Sequence, residues 1–203
     1  MKNYCLLLIA FLFSTGMMAQ DRGAVLLDVY GSYTFSNNVN FDYGHIKIGD
    51  GFTYGAGFEF FPQKSSSVEV KYLRLDTSMK TDRVPANGQN INGNGAFNYI
   101  LIGGNHYFDS GSNAVPYLGG GLGMAIVDGP NGGNDTNFAW EIKGGVKIKT
   151  NSSVSVSLQA NLISTIAPAG TDTYWGYYGP FAVQDYAYSY QFGLGAIIGF
   201  NLK

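Results

Sequence analysis

The stretch Asn137-Phe138-Ala139-Trp140-Glu141-Ile142-Lys143-Gly144-Gly145-Val146-Lys147-Ile148-Lys149 decides the fold. Its even positions run Phe138, Trp140, Ile142, Gly144, Val146 and Ile148, and its odd positions Ala139, Glu141, Lys143, Gly145, Lys147 and Lys149. Successive side chains of a strand point to opposite faces, so the two faces of this segment belong in different solvents. The segments that follow repeat the division. Val154, Val156, Leu158, Ala160 and Leu162 oppose Ser153, Ser155, Ser157, Gln159 and Asn161. Tyr188, Tyr190, Phe192, Leu194, Ala196, Ile198 and Phe200 alternate with Ser189, Gln191, Gly193, Gly195, Ile197, Gly199 and Asn201. Upstream, Phe52, Tyr54, Ala56, Phe58 and Phe60 face away from Thr53, Gly55, Gly57 and Glu59.

Working outward, period-two segments bounded by turn residues predict eight strands, at 24–35, 51–61, 67–77, 97–108, 115–127, 137–149, 153–164 and 187–201. Each is longer than a typical soluble strand and long enough to cross a tilted path through a bilayer. Connections after the second, fourth and sixth strands are tight turns, while 36–50, 78–96, 128–136 and 165–186 are longer and polar. All the long ones therefore emerge at one end. Short periplasmic turns and long outer loops are the pattern of an outer-membrane barrel, and an even strand count puts both chain ends at the short-turn end. The predicted fold is all-β, an eight-stranded antiparallel up-and-down transmembrane β-barrel.

Composition agrees. Charged residues make up 13% of the 203, about half of the roughly 25% usual in a soluble domain, and glycine numbers 29. No run of 18 apolar residues occurs, which excludes a helical membrane protein. Alternation alone also fits a soluble barrel around an apolar ligand, as in lipocalins. Charge separates the two: a polar face of Ser, Gln, Asn and Gly along the last two strands is a poor water-exposed surface but suits a narrow interior. Aromatic belts are expected where Tyr30, Tyr33, Tyr54, Tyr99 and Tyr188 gather near the loop end and Phe60, Tyr107 and Phe200 near the turn end. Three strands are less regular. In 67–77, Leu73-Arg74-Leu75 reverses the parity, which implies a bulge or the membrane boundary. Ile100, Leu101 and Ile102 give 97–108 no clear face, and 115–127 turns a glycine face, Gly119, Gly121 and Gly123, inward.

The amino terminus reads as a secretory signal: Lys2, the apolar run Cys5 to Phe13, then small residues up to Ala19. Residues 1–19 are expected to be removed, with 20–203 forming one barrel domain. Cys5 leaves with the signal, so the mature chain has no thiol chemistry. Without Lys2, 11 basic residues stand against 14 acidic ones, a net charge of −3 that does not attract nucleic acid.

The chain resembles the small eight-stranded outer-membrane barrels, the OmpA-like transmembrane domain and opacity-type porin-like surface proteins, in their Bacteroidota form. The resemblance spans residues 20–203 and is carried by Met18-Ala19 before Gln20, by Tyr117-Leu118-Gly119-Gly120-Gly121-Leu122-Gly123, and by Gly195-Ala196-Ile197-Ile198-Gly199-Phe200. The last stretch resembles the signal read by the barrel-assembly machinery, although the chain continues through Asn201-Leu202-Lys203. The resemblance implies a Gram-negative outer membrane, with its lipid and the assembly machinery as partners. A wall-anchoring role is not carried over, since no peptidoglycan-binding domain is read after the barrel.

With polar faces inward, the lumen receives Asp28, Glu59, Glu69, Lys71, Glu141, Lys143 and Lys147. These can pair into a network that fills it, or line a narrow aqueous path. Tyr174, Trp175, Tyr177, Tyr178 and Phe181 form a dense aromatic group in the fourth long loop, a candidate surface for an external ligand or protein partner, or a cover over the mouth. Lipid A acyl-modifying enzymes are built on barrels of this size. His45, with Asp76 and Ser78 near the same mouth, is the one constellation to weigh for such chemistry, and His106 reads as an interior or interfacial hydrogen-bonding residue. No catalytic residue, cofactor or metal site is assigned, because no His, Cys or carboxylate cluster has ligand spacing. The expected function is non-enzymatic, structural or surface-interacting through the long loops. A narrow solute channel is the alternative, and a lipid A-modifying enzyme a third reading.

Overall fold

The computed structural model describes residues 23–41, 44–81, 92–108, 112–130, 134–149, 153–176 and 179–202, with side chains throughout except at 39–41, 44–46, 81, 168–176 and 179–187. The expected leader, 1–19, lies outside the described residues. Ten strands follow in chain order: β1 Val25–Thr34, β2 Asn37–Phe41, β3 Gly44–Ile48, β4 Gly51–Gln63, β5 Ser66–Thr81, β6 Asn92–Tyr107, β7 Ala114–Asp128, β8 Asn134–Ile148, β9 Val154–Gly176 and β10 Gly179–Asn201. Eight of them, β1 and β4 to β10, pair antiparallel with their sequence neighbours, and β10 pairs back to β1 from Leu26↔Asn201 to Thr34↔Gly193. The sheet is thereby closed, which leaves no open edge in the hydrocarbon.

The remaining strands, β2 and β3, form a hairpin inside what reads as the first long loop. β3 pairs with the upper end of β5, Ile46↔Thr81 to Ile48↔Met79, and so continues the ladder above the start of β4. The other outer connections also carry strand. β5 runs to Thr81, and β9 and β10 stay paired up to Gly176↔Gly179, so most of 165–186 is a projecting hairpin and not irregular loop. The sequence does not announce these extensions. Beyond the bilayer both faces of a ribbon meet water, and the period-two signal fades although the backbone ladder persists.

Within the membrane band the outer wall is apolar. Phe58, Ile102, Leu118, Leu122 and Leu158 are each more than half exposed, an arrangement suited to lipid and costly in water. On β5 the outward side chains are Val68, Val70 and Tyr72, then Arg74 and Asp76, while Glu69 and Lys71 and then Leu73 and Leu75 point inward. The register is unbroken from Phe60↔Val68 to Phe52↔Asp76. Leu73-Arg74-Leu75 is therefore no bulge: the strand keeps its parity and the solvent outside changes, which makes this the membrane boundary.

The same height is marked across four strands by a polar ladder on the outer wall. Tyr54 Oη donates to Asp76 Oδ2 at 2.9 Å, Arg74 Nε to Asp76 Oδ1 at 2.9 Å, and Arg74 Nη1 and Tyr72 Oη to Asn98 Oδ1 at 3.0 and 2.8 Å. Asn98 Nδ2 in turn donates to Asp128 Oδ2 at 2.9 Å. The belt assignment needs correcting for three residues. Tyr30, Tyr99 and Tyr107 are buried in the lumen, whereas Tyr33, Tyr54, Tyr188, Phe60 and Phe200 stay on the outer wall.

Candidate functional site

The lower, periplasmic half of the lumen is built from acids that the register forces together. Glu59 and Glu69 are directly opposite on β4 and β5, both facing inward, and like charges in that position repel. Lysines offset them. Lys143, from the far wall on β8, pairs with Glu69; Lys71 lies 3.7 Å from Glu69 and 2.6 Å from Glu141; Lys147 lies 3.3 Å from Glu59. Room for Lys71 comes from Gly57 beside it: a Cβ there would stand 2.6 Å from the lysine's own Cβ.

Neutral donors add hydrogen bonds to these carboxylates, which burial would otherwise penalise. Glu59 Oε1 accepts from Ser67 Oγ at 2.5 Å, Tyr107 Oη at 2.6 Å and Asn105 Nδ2 at 2.7 Å. Tyr30 Oη donates to Glu69, and Asn161 Nδ2 to Glu141 at 3.4 Å. All seven expected lumen residues thus lie together inside the barrel. Lys143 is 1% and Lys71 4% exposed, while the Lys147 side chain, at 13%, reaches towards the periplasmic mouth. Asp28 is buried too and lines a small gap of about 10 Å³ with Glu59, Tyr107, Tyr117 and Ser157. The donors Tyr30, Tyr107, Asn105, Ser67 and Asn161 were not among the expected site residues. Their signal was parity, since Tyr30 shares a face with Asp28 and Tyr107 one with Asn105.

Above this layer the lumen changes character. Leu73, Leu75, Phe97, Tyr99, Leu101, Ala125, Ala139 and Ile163 form one buried apolar cluster, with Phe97 and Tyr99 stacked at 6.0 Å and Tyr99 Oη donating to Gln191. Ile100 and Ile102 face lipid and Leu101 faces inward, which resolves the strand without a clear face. The inward glycine face of β7 is present beside Tyr117, which is buried.

The aromatic group of the fourth loop sits at the head of the β9–β10 hairpin, where Tyr174 pairs with Phe181 and Trp175 with Pro180 along the backbone. Tyr177 and Tyr178 lie outside the described residues, as do the side chains of Tyr174, Trp175 and Phe181.

The two histidines lie at opposite ends of the barrel. His106 is on the outer wall near the periplasmic boundary, with Nδ1 at 3.2 Å from Ser66 Oγ and its ring edge-on to Phe108. This is the interfacial one of its two expected settings. His45 lies on β3 four residues above Gly49, whose amide bonds to the Ser78 carbonyl. At about 3.3 Å per residue the backbone of His45 stands about 13 Å from that point. Asp76 is engaged by Tyr54 and Arg74 on the outer wall.

A family model described as outer membrane protein beta-barrel domain matches residues 5–197. Among solved structures, the outer membrane protein OprG from Pseudomonas aeruginosa is similar with a TM-score of 0.57 at 10% identity, covering 88% of this chain and 96% of that one. Neisserial surface protein A is similar with a TM-score of 0.53 at 16% identity, covering 88% of this chain and 97% of that one. These likenesses show the fold. No curated protein matches the sequence.

Proposed function

The chain belongs to the outer membrane protein β-barrel domain family, and on that premise we propose that it is a non-enzymatic envelope protein with a closed lumen, acting through the β2–β3 and β9–β10 hairpins. In this reading residues 1–19 are a cleaved signal, the membrane is a Gram-negative outer membrane, and the barrel-assembly machinery inserts the mature chain. The observation that carries it is the double filling of the lumen: the layer of Glu59, Glu69, Lys71, Glu141 and Lys143 lies beneath the apolar cluster around Tyr99. Eight strands enclose only enough space for side chains, so two such layers leave no continuous aqueous path. The non-enzymatic part is supported by the separation of His45 from Ser78 and by the surroundings of His106, which contacts Ser66 and Phe108. The role given to the hairpins rests on their reach beyond the membrane band and on the aromatic head at Tyr174, Trp175, Tyr177, Tyr178 and Phe181.

Single-channel recording tests this directly. Mature protein inserted in a planar bilayer should give no discrete openings. Reproducible openings altered by Lys143→Gln would replace this reading with the narrow solute channel. For the hairpins, changing the five aromatic residues to serine should leave the folded barrel's gel mobility unchanged and abolish attachment of the protein to its surface partner. Lipid A of altered acylation that depends on His45 would bring back the enzyme.

A further inference from the structure

At the periplasmic mouth a cavity of about 230 Å³ opens between the ends of β1, β4, β6, β7, β8, β9 and β10. Its walls are Leu26, Phe61, Val115 and Val154, and its polar lining includes Ser153 and Ser155. Three lysines line it, Lys64, Lys147 and Lys149, and among the described residues no aspartate or glutamate does. Lys147 forms the back wall, its ammonium 4.9 Å from the centre of the Phe61 ring and 5.2 Å from that of Tyr107. An ammonium has three donors. The structure shows one of them directed at Glu59, at 3.3 Å, on the oxygen not taken by Ser67, Asn105 and Tyr107. Apolar walls, a cationic back and a cationic rim at Lys64 describe a receptor for a molecule with one apolar and one anionic end. At about 230 Å³ the cavity is smaller than the ~300–1,000 Å³ usual for drug-sized ligands, which suits a short chain.

We propose that this periplasmic cup binds a monoanionic amphiphile, a medium-chain carboxylate, with its head between Lys64 and Lys147 and its chain against Phe61 and Val115. The site is reached from the periplasm and is independent of the outer hairpins and of the closure of the lumen above it.

The test is calorimetric titration of the mature barrel in lipid nanodiscs with octanoate, set against octanol, octylamine and acetate, with empty nanodiscs as the partition control. Octanoate should bind saturably and about tenfold more tightly than octanol or acetate, a difference of ~1.4 kcal/mol, and raised salt should weaken it. Octylamine should show only the partition seen with empty discs. Lys64→Glu, in an exposed turn where folding is not at stake, should lower octanoate affinity several-fold, and Lys147→Gln should lower it further if the variant inserts. Uptake equal to that of empty discs, equal binding of octanol and octanoate, or saturable binding untouched by Lys64→Glu would each overturn the proposal.

Discussion

The lower and upper halves of the lumen are walled by the same strands yet filled differently, with charged pairs below and, along β5 and β6, apolar side chains above. Below, Glu69 and Lys71 on β5 point inward while Val68 and Val70 face out; a few residues further, Leu73 and Leu75 point inward while Arg74 and Asp76 face out. Strand geometry is constant across the change. What differs is the medium on the other side of the wall. Lipid tails are as apolar as leucine, so within the bilayer an apolar side chain gains little by turning inward, and the polar residues take the interior because no other place suits them. Above the bilayer the outside is water, and the ordinary rule of apolar inside returns. The lower half depends on pairing and the upper half on burial, and the two should fail differently.

The largest effect is expected in the lower half. Lys71→Met removes the ammonium 2.6 Å from Glu141 and leaves that buried carboxylate with a hydrogen bond from Asn161 and the more distant charge of Lys143. Loss of one partner of a buried pair costs about 3–5 kcal/mol, and replacing both by apolar groups costs much less. Urea unfolding in vesicles should therefore show Lys71→Met clearly less stable than the double variant Lys71→Met/Glu141→Leu. Equal losses would mean that pairing does not hold the lower half. In the upper half, Leu75→Ala should cost about 2–3 kcal/mol by cavity formation, and pairing it with a second substitution there, Phe97→Ala directly opposite on β6, should deepen the loss with no rescue. Rescue in the upper half, or none in the lower, would erase the distinction.

This division also sets what could be read in advance. In β8 and β10 the alternation was complete, because lipid and lumen impose opposite demands on successive residues, and the eight barrel strands and the seven lumen charges followed from it. The parity of Tyr30, Tyr99 and Tyr107 was equally available. The enrichment of tyrosine at membrane interfaces points the other way, yet each of these hydroxyls finds an acceptor inside, on Glu69, Gln191 and Glu59. The extensions of β5, β9 and β10 and the β2–β3 hairpin were not legible, since ribbons wet on both faces carry no alternation. Nor is the periplasmic cup: its lining comes from seven strand ends and the residues flanking them, which only closure of the barrel brings together.

The smallest effect belongs to the outer rim, where the upper half meets water. Tyr33 Oη donates to Asp50 Oδ2 at 2.5 Å, and this bond, with a lesser contribution from the backbone, holds the Asp50 carboxyl below its ordinary range. A carboxylate depressed in the folded state contributes stability above its ordinary pKa, and that contribution is lost as pH falls through the depressed value. Both groups are exposed, so the contribution at neutral pH is screened by water and unfolding at pH 7 should not register Tyr33→Phe. The carboxyl 13C titration of Asp50 should register it, moving up towards the value near 3.9 of an unperturbed aspartate. An unmoved titration would show that the hydrogen bond is not made in solution, and Tyr33 would then belong to the lipid-facing wall, with the change of solvent on β1 drawn above it.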